Sequence, residues 1–350
     1  MPSNQPSSTS PSGESFQLPA GSDYTNELTR IEQLVHQSRS EQKEIVVVMG
    51  LGFVGAVMAA IVADTKGADG KNSKFVIGCQ RPSPRSYWKI PLINRGEAPV
   101  KAEDPEVDVL IRRCVVESKT LTATYNSDVL QFADCVVVDV QCDFAKKELG
   151  NMRSGEADMA ALEDTMRTIG EKIQPECLVL IETTVAPETT DDGRQTTDDR
   201  HRSSVIRHRS SVIRHRSSVI RHRSSVIRHF YVASIRDFWR VCSGCEPVAR
   251  ARVEQFLHEV LNTKDFPLTV MDRPIESETT KIVENSYRAT ILAYLNEWSL
   301  FAERNGVDLI KVIDAIRMRP THSNMIFPGP GIGGYCLPKD GGLGYWALRY

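Results

Sequence analysis

Glu44-Ile45-Val46-Val47-Val48-Met49-Gly50-Leu51-Gly52-Phe53-Val54-Gly55 is the stretch whose reading decides the fold. The run from Ile45 to Met49 is apolar and rich in β-branched residues, which marks a strand. It breaks at a Gly-x-Gly-x-x-Gly turn, and a helical pattern runs from Ala56 to about Asp64. Strand, glycine turn and helix in that order form a dinucleotide-binding fingerprint. Gly50 permits the tight turn, Gly52 lets a pyrophosphate approach, and Gly55 lets helix and strand pack closely. Gly52, Phe53, Val54 and Gly55 open the helix, where free N–H groups can hold an anion.

Working outward, Phe75 to Gln80 is a second apolar run. Such folds place an acidic residue at its end, but here Gln80 and Arg81 stand there. Gln80 can hydrogen-bond a ribose hydroxyl, and Arg81 can meet a 2′-phosphate. The expected cofactor is therefore NAD, with NADP not excluded. Pro105–Glu117 has helical spacing, Asp134–Val140 reads as a buried strand, Asp158–Ile173 as an amphipathic helix and Cys177–Glu182 as the next strand. Strands alternating with helices indicate an α/β fold with a Rossmann-like parallel sheet. From about Pro247 the strand signal fades. Val248–Leu261, Glu276–Asn305 and Asp308–Met318 read as helices, the last begun by an aspartate cap and closed before Pro320. The expected organisation is a disordered or helical extension over residues 1–40, a Rossmann-like domain over 41–240, and an all-helical domain over 241–350 that packs against a partner or a second subunit.

The chain has 350 residues and a net charge of −2, which gives no argument for a nucleic-acid partner. No run is long enough to span a bilayer, and no secretory pattern opens the chain. Residues from Met1 to about Asp23 are rich in Ser, Pro, Gly and Gln, a composition that does not order itself. Eight scattered cysteines, mostly on apolar runs, fit reduced thiols in a cytoplasmic protein. Cys242-Ser243-Gly244-Cys245 has the spacing of half a zinc site, but no second pair or histidine partner stands at a suitable distance, so no metal is expected.

His201-Arg202-Ser203-Ser204-Val205-Ile206-Arg207 is followed by three identical copies, ending at Arg228. Only an adjacent Val and Ile are apolar in each unit, so the seven-residue period makes no coiled-coil seam. Exact repetition suggests a duplicated coding segment, and residues 189–229 are expected to be low-complexity and without packed structure.

A second glycine-rich stretch, Gly329-Pro330-Gly331-Ile332-Gly333-Gly334-Tyr335-Cys336-Leu337-Pro338-Lys339-Asp340, delivers one cysteine beside a cation and a carboxylate. The cation favours the reactive thiolate, and the carboxylate can activate water or relay a proton. Lys281 and Asn285 are four apart on the long helix and so share a face; together they can hold an oxyanion.

These residues together resemble the UDP-glucose/GDP-mannose dehydrogenase family, the nucleotide-sugar 6-dehydrogenases. The likeness covers about Glu44 to Pro187 and then Tyr231 onward. It rests on the Gly50–Gly55 strand-turn, Asn94-Arg95-Gly96-Glu97-Ala98-Pro99, Glu182-Thr183-Thr184-Val185-Ala186-Pro187, Glu278–Asn285, Asn296-Glu297 and the Cys336 loop. The resemblance implies NAD-dependent oxidation of a sugar C6 hydroxyl to a uronic acid through a thiohemiacetal and a thioester on Cys336. It implies an oxyanion pair in Lys281 and Asn285, a proton-relaying Asp340, a substrate loop with Gly331, Gly333 and Lys339, and a cofactor-side Thr184. It also implies a nucleotide-sugar substrate and a homodimer built on helix 276–305. Two departures stand out. Family members carry a Tyr/Ser-x-Glu-Arg segment after the Thr-Thr-Val loop, and the repeat occupies its place here. A third, nucleotide-binding domain is also expected to be absent. Turnover is expected to be impaired, and the alternative is an NAD-binding dimeric pseudoenzyme.

Overall fold

The apolar run after Lys43 forms a strand because its side chains are buried on both sides, as in a parallel sheet covered by helices. The computed structural model describes residues 6–148, 151–190, 217–220 and 231–348, without the side chains of Met152 and residues 217–220. In chain order the elements are strands β1 (Ser7–Thr9) and β2 (Ser15–Gln17), helix α1 (Gly21–Ser40), β3 (Glu44–Met49), α2 (Phe53–Asp64), β4 (Lys74–Cys79), α3 (Lys89–Asn94) and α4 (Glu106–Arg112). They continue with β5 (Leu121–Thr124), β6 (Cys135–Val138), β7 (Asp143–Ala145), β8 (Glu156–Asp158), α5 (Ala160–Lys172), β9 (Leu178–Ile181), β10 (Ser217–Ile220), α6 (Tyr231–Arg236) and β11 (Val241–Gly244). The last are α7 (Pro247–Val260), β12 (Thr269–Val270), α8 (Pro274–Asn305), α9 (Leu309–Arg317) and α10 (Leu337–Ala347).

The chain divides into two compact units. The first comprises Met1–Cys142, Met159–Thr183 and Thr189–Ser277. Its eight-stranded sheet has the order β12-β11-β10-β9-β6-β3-β4-β5. From β5 to β10 neighbouring strands are parallel, and β11 turns antiparallel to β10. Helix α2 buries nearly all its residues after the glycine turn, and Phe256 and Leu257 of α7 join the same apolar cluster.

The second unit comprises Asp143–Asp158, Thr184–Glu188 and Glu278–Tyr350. It holds most of α8 with α9, α10 and the antiparallel β7–β8 pair. Asp308 begins α9 as expected, its Oδ1 accepting from the N–H groups of Ile310 (3.1 Å) and Lys311 (3.2 Å). The α10 segment is helical although it holds Gly341, Gly342 and Gly344; at the last two, large neighbours occupy the space a side chain would need. A Cβ on Gly342 would meet the Phe144 ring at 2.5 Å, and one on Gly344 would meet the Ile282 side chain at 2.7 Å.

Three expectations are corrected. The first unit continues to Ser277, past the expected boundary at 240, because β11, β12 and α7 belong to the sheet and its core. The second unit is helical from Glu278 onward, as expected, and also takes in the β7–β8 pair from residues 143–158. The N-terminal segment is ordered before α1: β1 and β2 pair antiparallel, and Ser8 is fully buried. The repeat contributes β10, paired with β9 and β11; residues 191–216 and 221–230 lie outside the described residues.

Candidate functional site

Each unit carries one cluster of chemistry. In the first, Gly50 has φ +97°, the left-handed region that favours glycine, and a Cβ there would meet the Asp139 carbonyl oxygen at 2.6 Å. Gly55 is required by packing, because its Cβ would stand 1.9 Å from the Gly50 carbonyl oxygen. Gly52 is different. Its φ of −78° suits any residue, and a Cβ would meet nothing within 4 Å. The fold does not need glycine at that point, whereas close approach of a pyrophosphate to the start of α2 does. The residues present therefore fit a dinucleotide, with the N–H groups at the start of α2 as the phosphate contacts.

Gln80 is committed to the turn itself: its Oε1 accepts from the Leu51 N–H at 2.9 Å. It braces the glycine loop with its amide oxygen. Arg81 is exposed and lies 3.3 Å from Asp164. Thr184 belongs to the second unit and the glycine turn to the first.

Beneath the turn lies a charged group that sequence reasoning missed. Arg240 Nη1 donates to Glu182 Oε1 at 3.0 Å, and both side chains are almost fully buried. Asp139 follows β6, and its Oδ2 is enclosed, with no hydrogen-bond partner among the described residues. That oxygen lies 3.1 Å from where a Gly55 Cβ would stand. Burial first, and then the neighbouring Glu182 carboxylate, push the Asp139 carboxyl well above its ordinary value against the pull of Arg240. The signal was present in Asp139 and Glu182, two acids at the ends of otherwise apolar strands. Arg240 lies 58 residues from Glu182, so the pairing had no local trace.

The cysteines separate by environment. Cys245 and Cys336 are partly exposed and the other six are buried. Burial pushes the thiols of Cys79, Cys114 and Cys242 up to about 12. Those thiols are neutral core groups.

In the second unit Cys336 immediately precedes α10, and its carbonyl accepts from the N–H groups of Lys339 (3.0 Å) and Asp340 (2.9 Å). The sulfur-bearing residue thus sits at the N-terminal end of an eleven-residue helix. Asp340 is fully buried. Asn285 Nδ2 donates to its Oδ2 at 2.6 Å, and Lys339 Nζ lies 3.1 Å from its Oδ1. Lys281 is also buried, one turn before Asn285 on α8, with its Nζ 3.6 Å from Glu284. The structure therefore brings Asn285, Lys339 and Asp340 together, and buries Lys281 on the same helix as Asn285. Gly331 and Gly333 lie on an exposed loop, where a Cβ would meet nothing within 4 Å.

Comparison with known proteins places both units. Residues 44–215 match the NAD binding domain of the UDP-glucose/GDP-mannose dehydrogenase family, and residues 275–346 match its central domain. A UDP-N-acetyl-D-mannosamine dehydrogenase from Yersinia pestis is 25% identical over 297 residues, 85% of this chain and 64% of that protein. A second, from Pyrococcus horikoshii, is 25% identical over 84% of this chain and 62% of its own length. The chain thus spans less than two thirds of these relatives. The crystal structure of NDP-N-acetyl-D-galactosaminuronic acid dehydrogenase from Methanosarcina mazei Go1 superposes with a TM-score of 0.66 at 26% identity, covering 90% of this chain and 62% of that one.

Proposed function

The chain belongs to the UDP-glucose/GDP-mannose dehydrogenase family, and we propose that it oxidises the C6 hydroxyl of a UDP- or GDP-linked sugar to a uronic acid with NAD. The observation that carries this reading is the buried Asn285–Asp340–Lys339 cluster at the start of the helix that Cys336 precedes. NAD, held at Gly50, Gly52 and Gly55, supplies two successive hydride acceptances when bound.

The remaining work falls to this chain's own groups. Cys336 Sγ adds to the C6 aldehyde and forms a thiohemiacetal; its further oxidation leaves a thioester, and water then releases the acid and returns the thiol. Lys281 and Asn285 provide N–H donors for the oxygen that gains charge in those steps. Asp340 moves the proton, its position fixed by Asn285 and Lys339. Gly331 and Gly333 let the loop backbone approach the sugar, and Lys339 completes the substrate side.

A dimer through α8 accompanies this reading. Val283, Tyr287, Tyr294, Trp298 and Phe301 recur at helical spacing and are all exposed, and the last three rings meet edge to face. A second copy of the helix is the occupant that such a stripe suits. A non-catalytic, NAD-binding dimer is the second reading, favoured by the absence of a Tyr/Ser-x-Glu-Arg segment where the repeat stands.

The test follows NADH absorbance with purified protein, NAD⁺ and a panel of UDP- and GDP-sugars. Two NADH per sugar are expected, and none of that uronate with Cys336→Ser. Full uronate production by Cys336→Ser overturns the nucleophile. Bound NAD⁺ without turnover on any sugar establishes the second reading.

A further inference from the structure

The N-terminal hairpin lies outside the family match, which begins at residue 44, yet it is anchored to the loop that follows β4. The Ser8 hydroxyl is fully buried and bridges that loop. It donates to the Pro84 carbonyl at 2.9 Å and accepts from the Trp88 N–H at 3.2 Å. A two-residue hydroxyl bridge of this kind fixes both ends of one loop segment at once. A second anchor lies further along the hairpin, where Glu14 binds Arg95 with two bonds of 2.7 and 2.8 Å. Arg95 also covers the Phe16 ring at 5.8 Å.

The loop carries these anchors to the glycine turn. Ser86 Oγ donates to the Arg81 carbonyl at 2.8 Å, and Ser83 Oγ lies 2.7 Å from Ser86 Oγ. Arg81 follows Gln80, whose backbone N–H donates to the Thr124 carbonyl at 2.9 Å and whose Oε1 holds the Leu51 N–H. Hydrogen bonds and the short chain links between them therefore connect Ser8, through the β4 loop, to Leu51 in the turn between Gly50 and Gly52. In this fold the end of the second strand is where the adenosine ribose is held.

We propose that Ser8 is a positioning residue for the adenosine half of the dinucleotide: the N-terminal hairpin clamps the 81–88 loop in the conformation that receives the ribose. The inference rests on the cofactor reading above. It assigns a binding role to a segment whose composition alone suggests none.

The experiment measures ADP and NAD⁺ dissociation constants by calorimetry on the full chain, with thermal melting alongside. Ser8→Ala is expected to raise both constants by the same factor, about three- to tenfold, the equivalent of losing one or two ordinary hydrogen bonds. Ser8→Thr, which keeps the hydroxyl, is expected to restore them. Glu14→Gln, at a half-exposed pair that leaves the core untouched, is expected to raise both about twofold and serves where Ser8→Ala does not fold. An ADP constant unchanged in Ser8→Ala, with a lowered melting temperature, overturns the proposal and leaves Ser8 a structural residue. So does a loss confined to NAD⁺, or a Ser8→Thr variant as weak as Ser8→Ala. Wild-type protein that binds neither ADP nor NAD⁺ overturns the cofactor reading itself, which separates the two failures.

Discussion

Asp139→Asn tests whether the carboxyl beneath the glycine turn carries a proton in the folded protein. Its Oδ2 is enclosed and unpartnered among the described residues, and the Glu182–Arg240 ion pair already balances its own charge. Burial and Glu182 raise the folded-state pKa above the ordinary 3.8. The folded protein therefore binds a proton that the unfolded chain releases. For a group raised in this way, stability is fully present below the unfolded pKa and is lost as pH rises towards the folded value. One extra bound proton corresponds to about 1.4 kcal/mol per pH unit. As pH rises above the ordinary 3.8 the wild type should therefore lose stability relative to a side chain that does not titrate. Asparagine has nearly the shape of the neutral acid, so Asp139→Asn should lack that slope. The assay is urea unfolding of both proteins from pH 4.5 to 8, comparing extrapolated stabilities. Parallel curves across that range refute the reasoning, because they mean that Asp139 has the same protonation in the folded and unfolded chains.

Two further outcomes follow from the geometry. Gly52→Ala should leave thermal stability nearly unchanged and weaken NAD⁺ binding, whereas Gly55→Ala should lower both, the latter by about 3 kcal/mol or more of stability because backbone must move; melting and calorimetry on both variants read this, and equal stability losses contradict it. Lys74→Met should cost about 1–3 kcal/mol, since the buried ammonium joins Glu44 (2.5 Å) and Glu259 (2.7 Å) and lies over the Phe256 ring. Burial lowers the Lys74 pKa, but the two carboxylates outweigh it and the net direction is upward. Its contribution is therefore present below the unfolded lysine value and lost as pH rises through the folded one. Alkaline denaturation that is identical in wild type and Lys74→Met contradicts the assignment.

What was legible in the sequence is what local pattern encodes. The Glu44–Met49 run and the turn to Gly55 announced β3 and α2 because burial on both faces demands an unbroken apolar strand. The strand β5, Leu121-Thr122-Ala123-Thr124, was missed because half its residues are threonine and no apolar run marks it. The hairpin β1–β2 was missed because its order comes from one buried hydroxyl and one ion pair, with partners 76 and 81 residues away. The helix α10 was not anticipated because three of its eleven residues are glycine, which weakens helix propensity. Gly342 and Gly344 answer to Phe144 and Ile282 in space.

The candidate site shows the same division more sharply. Spacing alone put Lys281 and Asn285 on one helical face, and the structure buries both. Spacing did not join Asn285 to Asp340, 55 residues on. That contact also fixes chemistry that the sequence leaves open. In that contact the Asn285 side chain turns its NH₂ group towards Asp340, whose Oδ2 accepts. One of its two N–H donors is thereby spent on Oδ2, and a single N–H is left for an oxyanion. In the reaction proposed above, Lys281, on the same face one turn away, would supply the charge that one neutral donor lacks. The division of labour proposed for the pair, with a positive charge from the lysine and a directed hydrogen bond from the amide, thus follows from a carboxylate that neither residue's helix contains.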